Sequence, residues 1–337
     1  MSIKDVIARH DAQRVEAADP SKFKHLVSAV KSWMGAWPAQ STYTDRLRAS
    51  QLFFTCPREF VLNYWQPTAN RDFDMRSYLF MSTGTHLHQY AQDYILGPMG
   101  ILSGTWVHNE TGDDVKGFHP NPEEAILQIA HQERLTWTYI EDRFFDKQYR
   151  VGGHIDGQVD LSRIEWLHEN PHLAKKEPVK AMMELQDLPL VENNLINLEI
   201  KTCGNYVFEN LIDSNTIPEY YRMQAEIYQH MTGKDKTVFW YINRDTMNSK
   251  LILYENTTKW WKDAKRKAKI IWKSIRDETL PTSGMACFTP RDKRAKECAF
   301  RGPCFEEMDF ADYVRAGKER AAREGRRLLD LSKATFD

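Results

Sequence analysis

Asn194-Leu-Ile-Asn-Leu-Glu-Ile-Lys201 is the stretch on which the reading of this chain turns. Apolar and polar residues alternate along its second half, the period of a β-strand, and side chains two apart on a strand project to the same face. Glu199 and Lys201, separated by the apolar Ile200, therefore point together into one cleft. A carboxylate can hold a hard divalent cation, and a neighbouring ammonium can orient a water or offset charge developing on a phosphate. The pair reads as half of a metal site.

Three further segments supply groups for the other half. Val151-Gly-Gly-His-Ile-Asp156-Gly-Gln-Val-Asp160 alternates like a strand and offers a carboxylate after a Gly-x-x-Asp pattern. Asp156 and Asp160 share a face, but four strand residues span about 13 Å. Only one of them can join Glu199 at an ion, and the other is expected to be structural or flanking. Gly84-Thr-His-Leu-His88 opens a helix-like segment running through Tyr90, Ala91, Tyr94 and Ile95, and offers the imidazole of His88 as a third ligand. His86, two residues away, points to another side of such a helix; His154 shares the Asp156 face and ranks below His88 as a lining residue. Tyr220-Tyr-Arg-Met-Gln224-Ala-Glu-Ile-Tyr228 is another helix pattern, with Gln224 and Tyr228 four apart on one face.

In this order, Gly84-x-x-x-His88, Gly153-x-x-Asp156, Glu199-x-Lys201 and Gln224-x-x-x-Tyr228 resemble the motif series of the RecB-like branch of the PD-(D/E)XK nuclease superfamily. The resemblance implies an α/β fold: a restriction-endonuclease-like core with a central mixed sheet flanked by helices, plus helical N-terminal and Cys-rich C-terminal additions. It implies that His88, Asp156, Glu199 and the backbone carbonyl of Ile200 bind Mg2+ or Mn2+. Lys201 would be the catalytic lysine, and Gln224 and Tyr228 would sit beside the site, touching DNA or the nucleophilic water. The reaction implied is metal-assisted hydrolysis of phosphodiester bonds.

Five cysteines stand at 56, 203, 287, 298 and 304. One lies early, in Ser50-Gln-Leu-Phe-Phe-Thr-Cys56-Pro-Arg-Glu-Phe60, and three cluster late. The chain shows no secretory pattern, so a reducing, cytoplasmic setting is expected (the host cytoplasm if the chain is virus-encoded), and grouped thiols there suit a metal or cluster better than disulfides. Four thiolates suit either zinc or a [4Fe-4S] cluster. The Cys-Pro-Arg-x-Phe segment answered by a late Cys-x5-Cys resembles the iron-sulfur nucleases of the same superfamily, AddB-type recombination nucleases and CRISPR-adaptation exonucleases. That resemblance implies a cluster on Cys56, Cys287, Cys298 and Cys304, stapling the two ends of the nuclease domain. Ten residues separate Cys287 from Cys298 where those relatives have two, so the loop from Phe288 to Glu297 must fold outward. Cys203 is the spare.

A chain of 337 residues with 42% hydrophobic content accommodates one large α/β domain with additions, or two domains. No apolar run approaches the length of a membrane span. The formal net charge of -1 removes any argument for nucleic-acid binding from overall basicity, so basic patches must be local. Lys259 to Lys273 interleaves Lys and Arg with Trp260, Trp261 and Trp272, and Lys262, Lys265, Arg266 and Lys269 are its candidate DNA contacts. The tryptophans, with Ile270 and Ile271, are expected to pack on the core. The Arg-rich tail from Arg315 to Arg327 is either a contact surface or a solvated face.

Three regions are expected: a helical lead-in over 1–48, with Phe23, Leu26, Val27, Val30, Trp33 and Met34 at helical spacing; the nuclease domain over 49–310; and a basic helical tail over 311–337. Within the domain, helices carry Cys56 and His88, residues 97–120 read as Gly-rich turns, and a helix is expected over 122–140. Strands are expected near 144–160, 194–202, 236–243 and 250–254, and the charged stretch 162–192 reads as an insertion. There is no Gly-x4-Gly-Lys-Ser/Thr loop, hence no ATP motor. The activity expected is an exonuclease acting on DNA, with single-stranded ends, in replication, recombination or repair, with a replication or recombination protein as partner. The other reading is a non-catalytic DNA-binding or assembly module that keeps the fold.

Overall fold

The computed structural model describes residues 45–67, 75–160, 163, 195–282, 287, 289–305, 308–332, 334 and 336. The chain divides into two compact units, Met1–Thr42 with Ala69–Ser82 and Tyr43–Thr68 with Thr83–Asp337. Of the first unit, the described part is the opening of helix Met75–Ala91. The lead-in expected over 1–48 falls outside the described residues except at its end, and the stretch 162–192 does so except for Arg163.

Among the described residues of the second unit there are ten strands, interspersed with helices. They are β1 (Leu47–Arg48), β2 (Leu102–His108), β3 (Asp114–Phe118), β4 (Trp137–Ile140), β5 (Arg143–Asp146), β6 (Val151–His154), β7 (Gly157–Asp160), β8 (Leu195–Cys203), β9 (Lys236–Asn243) and β10 (Ser249–Glu255). The central sheet runs β10-β9-β8-β7-β2-β3, with β4 taking over the edge of β2 beyond β7, and a small sheet runs β1-β6-β5. Among the described residues only β8 and β9 pair in parallel in the central sheet, so it is mixed, as expected, and helices flank it.

β8 lies inside this sheet because both of its faces are covered. Leu198 and Ile200 pack with Val238 and Trp240 of β9 and with Leu96, Ile101, Leu102 and Trp106. Full burial of such side chains contributes about 1.5–3 kcal/mol each. Glu199 and Lys201 alternate to the opposite face, alongside Phe239 and Tyr241, where helix Glu219–Thr232 covers them with Met223, Ile227 and Tyr228. That helix ends at Gly233, whose positive φ of 69° is the left-handed turn that glycine adopts without strain.

Three expectations are corrected. Residues 97–120 are not a run of turns but the hairpin of β2 and β3; Gly104 lies mid-strand because the Tyr139 ring crosses it, 2.4 Å from where a Cβ would stand. The helix expected over 122–140 stops at Ala130, the chain turns through Gln132 at φ 58°, and the aromatic and β-branched Trp137-Thr-Tyr-Ile forms β4. The single strand read over 144–160 is three strands: β6 and β7 belong to different sheets and break at Ile155 and Asp156.

Helix Lys259–Arg276 buries Trp260, Trp261, Ala264, Ala268, Ile271, Trp272 and Ile275, while Ile270 is 43% exposed rather than in the core. Helical periodicity explains the correction, since 270 continues the exposed stripe of Lys262 and Arg266. The Arg-rich tail forms helix Phe310–Arg323, capped by Asp309 and packed on helix Pro57–Trp65; Arg326 then donates to the carbonyls of Tyr64 and Trp65 at 2.8 and 2.9 Å. Among the described residues no helix is long and apolar enough to cross a membrane.

The fully buried Glu226 joins these layers. It accepts from Tyr254 Oη (2.7 Å), from Thr257 Oγ1 (2.6 Å) and N–H (3.1 Å), and from the Trp261 N–H (2.8 Å), so it caps the start of helix Lys259–Arg276 from a neighbouring helix. Glu226→Ala should cost about 3 kcal/mol, since buried donors lose a charged acceptor, and Glu226→Gln less. Urea unfolding midpoints at unchanged slope will read the difference.

Candidate active site

Asp156 stands at the break between the two sheets. Its Oδ2 accepts the Ile200 N–H of β8 at 2.6 Å, and its backbone carbonyl accepts from Gln92 Nε2 at 2.7 Å. The Ile200 bond fixes the carboxylate and leaves Oδ1 turned to His88, whose Nδ1 is 3.4 Å away. His88 reaches this point near the end of helix Met75–Ala91, which passes close over β8: a Cβ on Gly84 would lie 3.3 Å from Thr202 Oγ1. The helix continues as a π-helical turn, Gln92–Leu96, and this turn brings Gln92 to Asp156.

Glu199 is fully buried. Its Oε2 accepts from Lys201 Nζ at 2.5 Å and from Gln224 Nε2 at 3.1 Å. Tyr228, one turn beyond Gln224, is hydrogen-bonded to it and packs against Gly153, where a Cβ would stand 2.4 Å from the Tyr228 hydroxyl. The glycine of the Gly-x-x-Asp pattern thus makes room for the tyrosine of the Gln-x-x-x-Tyr pattern.

Sequence reasoning missed Glu141. It lies in the turn between β4 and β5, held by its neighbour Asp142, which accepts from Thr105 Oγ1 (2.7 Å) and from the Ile155 N–H (3.2 Å). His88, Glu141 and Asp156 each offer a ligand atom, all within 4.8 Å of one another. Gln92, also missed, hydrogen-bonds the Glu141 carboxylate as well as the Asp156 carbonyl. The available signal was the strand-like alternation of Trp137 to Ile140 just before Glu141, obscured by reading that segment as helix.

The electrostatics are those of anions crowded out of water. Burial would raise the Asp156 carboxyl, but His88, Lys201 and the Ile200 N–H hold it below its ordinary range. Burial would lower His88, yet Asp156 raises it. Burial and the Asp156 charge push Glu141 up, and burial, with the Asp156 charge adding, pushes Glu199 up against the pull of Lys201. Lys201 is driven above the usual lysine range by Glu199 and Asp156 despite its burial, and is therefore an ammonium at neutral pH.

Glu199 Oε1 is buried and has no hydrogen-bond partner. Buried polar atoms are almost always satisfied, and an orphan calls for an ion or water. Hard carboxylate oxygens with one imidazole are a donor set that fits Mg2+ or Mn2+.

The other expected residues lie elsewhere. Cys56 precedes helix Pro57–Trp65, Cys298 follows helix Lys293–Glu297 and accepts from the Phe300 N–H at 3.4 Å, and Cys304 lies in helix Arg301–Phe305. Burial, together with the charges of the neighbouring thiols among these four, raises Cys287, Cys298 and Cys304, so the group is within mutual electrostatic reach. Cys203 instead faces Arg244 and Asp245. Of the basic helix, Lys262 and Arg266 are exposed, Arg266 pairing with Asp263 at 3.2 Å, and Lys265 and Lys269 lie over the Tyr149 ring. This helix packs on the Glu226 side of helix Glu219–Thr232, whereas Glu199 is bonded to Gln224, so these four cations are not brought to the carboxylates.

The sequence matches no family model and no curated protein. Among solved structures it is similar to an alkaline exonuclease, LHK-Exo, from Laribacter hongkongensis, at 12% identity and TM-score 0.37, covering 73% of this chain and 93% of that one. LHK-Exo in complex with dAMP matches at 13% and 0.37, covering 70% and 90%, and SSO0001 at 12% and 0.34, covering 83% and 95%. Likeness at this level carries nothing about activity, and the functional reading rests on the residues.

Gly153→Ala should push Tyr228 off Gln224 and cost about 1–3 kcal/mol, the usual penalty for overpacking. Adding Tyr228→Phe, which removes the clashing hydroxyl, should restore part of that loss in a double-mutant cycle read by urea unfolding.

Proposed function

We propose that this chain is a Mg2+- or Mn2+-dependent deoxyribonuclease of the RecB-like PD-(D/E)XK type, an exonuclease working in the cytoplasm from single-stranded DNA ends in replication, recombination or repair. The observation that carries the reading is the buried Glu199–Lys201 pair facing Asp156, with His88 and Glu141 completing a donor group and one Glu199 oxygen left without a partner. His88, Glu141, Asp156, Glu199 and the Ile200 carbonyl would hold the metal. When bound, the ion supplies Lewis-acid polarisation of a phosphoryl oxygen.

The chain's own groups do the rest. Lys201, held beside Glu199, positions the attacking water and offsets the charge that builds on the phosphate. Gln224 fixes Glu199 by its amide, and Tyr228 fixes Gln224. Gln92 positions both Asp156 and Glu141.

End-labelled single- and double-stranded DNA should be shortened with Mg2+ or Mn2+ and not with EDTA. Lys201→Ala and Asp156→Ala should lower the rate by about 100- to 1,000-fold or more, the scale for losing a preorganised charge. Glu141→Gln should lower it and also weaken the rise in melting temperature on adding Mn2+. DNA binding without cleavage under every metal would point instead to a non-catalytic module.

Cys56, Cys287, Cys298 and Cys304 hold a [4Fe-4S] cluster in this reading, with zinc the alternative. In support, the four half-buried thiols lie within electrostatic reach of one another, and Arg58, Lys267 and Arg294 stand near them. Protein purified without oxygen should be brown, with iron and acid-labile sulfide, and Cys298→Ala should lose both. A colourless protein with one equivalent of zinc would replace the cluster by zinc.

A further inference from the structure

The outer face of the small β1-β6-β5 sheet gathers arginines around an aromatic ring. In β1, Leu47 and Arg48 lie opposite Val151 and Gly152 of β6; in β5, Phe145 lies opposite Gly152 and Arg143 opposite His154. Alternation sends Leu47 and Val151 into the core and places Arg48, Phe145, Arg143 and His154 together on the other side. Arg46, two residues before Arg48, joins them, with its guanidinium 5.8 Å from the Phe145 ring; it also pairs with Asp45 at 3.2 Å.

Gly152 is the centre of this face. A Cβ there would meet the Phe145 ring at 3.1 Å and the Arg46 side chain at 3.8 Å, so the missing side chain lets the ring and the arginine lie flat across the sheet. Arg150 adds a second guanidinium 5.6 Å from the same ring. The ring is nonetheless 40% exposed, and no carboxylate occupies the outward positions of these three strands. In a chain of net charge -1, such a concentration of arginine around an open aromatic ring is complementary to a polyanion with flat, stackable groups.

The face leads directly to the donor group. His154, at its edge and 51% exposed at the side chain, has Nδ1 3.7 Å from Glu141 Oε2, and Glu141 belongs to the group with His88 and Asp156.

We infer that the outer face of the β1-β6-β5 sheet is the track along which a single strand of DNA runs to the candidate active site, with Arg46, Arg48 and Arg143 on its phosphates and a base stacked on Phe145. This rests on the nuclease reading for the identity of the substrate. An unstacked base is what an exposed ring can receive, and a duplex keeps its bases stacked, so the strand is single.

The test is binding of a fluorescein-labelled oligothymidylate in EDTA, followed by anisotropy over a range of salt. No cleavage is needed, so it succeeds or fails apart from the nuclease assay, in which wild-type protein that never shortens DNA would defeat the nuclease reading alone. Arg48→Glu with Arg143→Glu should weaken binding by tenfold or more and flatten the salt dependence by about two charges. The Arg→Lys pair should keep the salt slope, which a merely structural effect would not. Phe145→Ala should weaken binding about tenfold at an unchanged slope. All are surface positions, and matched thermal melts will confirm the fold. Unaltered affinity and slope in both the charge-reversal and the Phe145 variants would overturn the track; equal losses for duplex would overturn its restriction to a single strand.

Discussion

The hydrogen bond from the Ile200 N–H to Asp156 Oδ2 is the contact on which the arrangement depends. β7 runs antiparallel to β8 with Gly157 opposite Leu198, and the same register carried backwards would set Ile155 opposite Ile200. The chain instead leaves for the small sheet, and β8 would be left with an unpaired N–H in the core, which is costly. The Asp156 carboxylate takes the place of the missing strand. One bond therefore ends a ladder, joins two sheets and sets the orientation of a candidate ligand.

Much of this was legible from the chain. The strands expected near 194–202, 236–243 and 250–254 are β8, β9 and β10, helical spacing marked Glu219–Thr232, and His88, Asp156, Glu199, Lys201, Gln224 and Tyr228 do lie around one point. What was not legible depended on contacts distant in sequence. Gly104 looks like a turn residue until Tyr139 is seen to cross it, and Trp137 to Ile140 is too short to be told from the end of a helix until β2 offers it an edge. Glu141 was lost with that segment.

Side chains from late in the sequence hold the early segment as well. Lys267 donates to the carbonyls of Leu52 and Phe53 at 2.8 Å each, Arg294 to that of Phe54, and Arg326 to those of Tyr64 and Trp65. These bonds hold Cys56 near the late cysteines. Burial, with Arg294 nearby, lowers Lys267 to about 8, so its hold on the Leu52 carbonyl is tied to a charge close to its midpoint at mildly basic pH.

The separation between these partners sets an order of events on the ribosome. Lys267 follows Leu52 by 215 positions and Arg326 follows Tyr64 by 262. At ordinary rates of translation the first gap alone lasts roughly 10–40 s, far longer than a hairpin such as β2-β3 needs to form. The Leu52 to Trp65 segment, and the cysteine it carries, must wait through that interval as nascent chain, and the domain closes only as its last helices emerge.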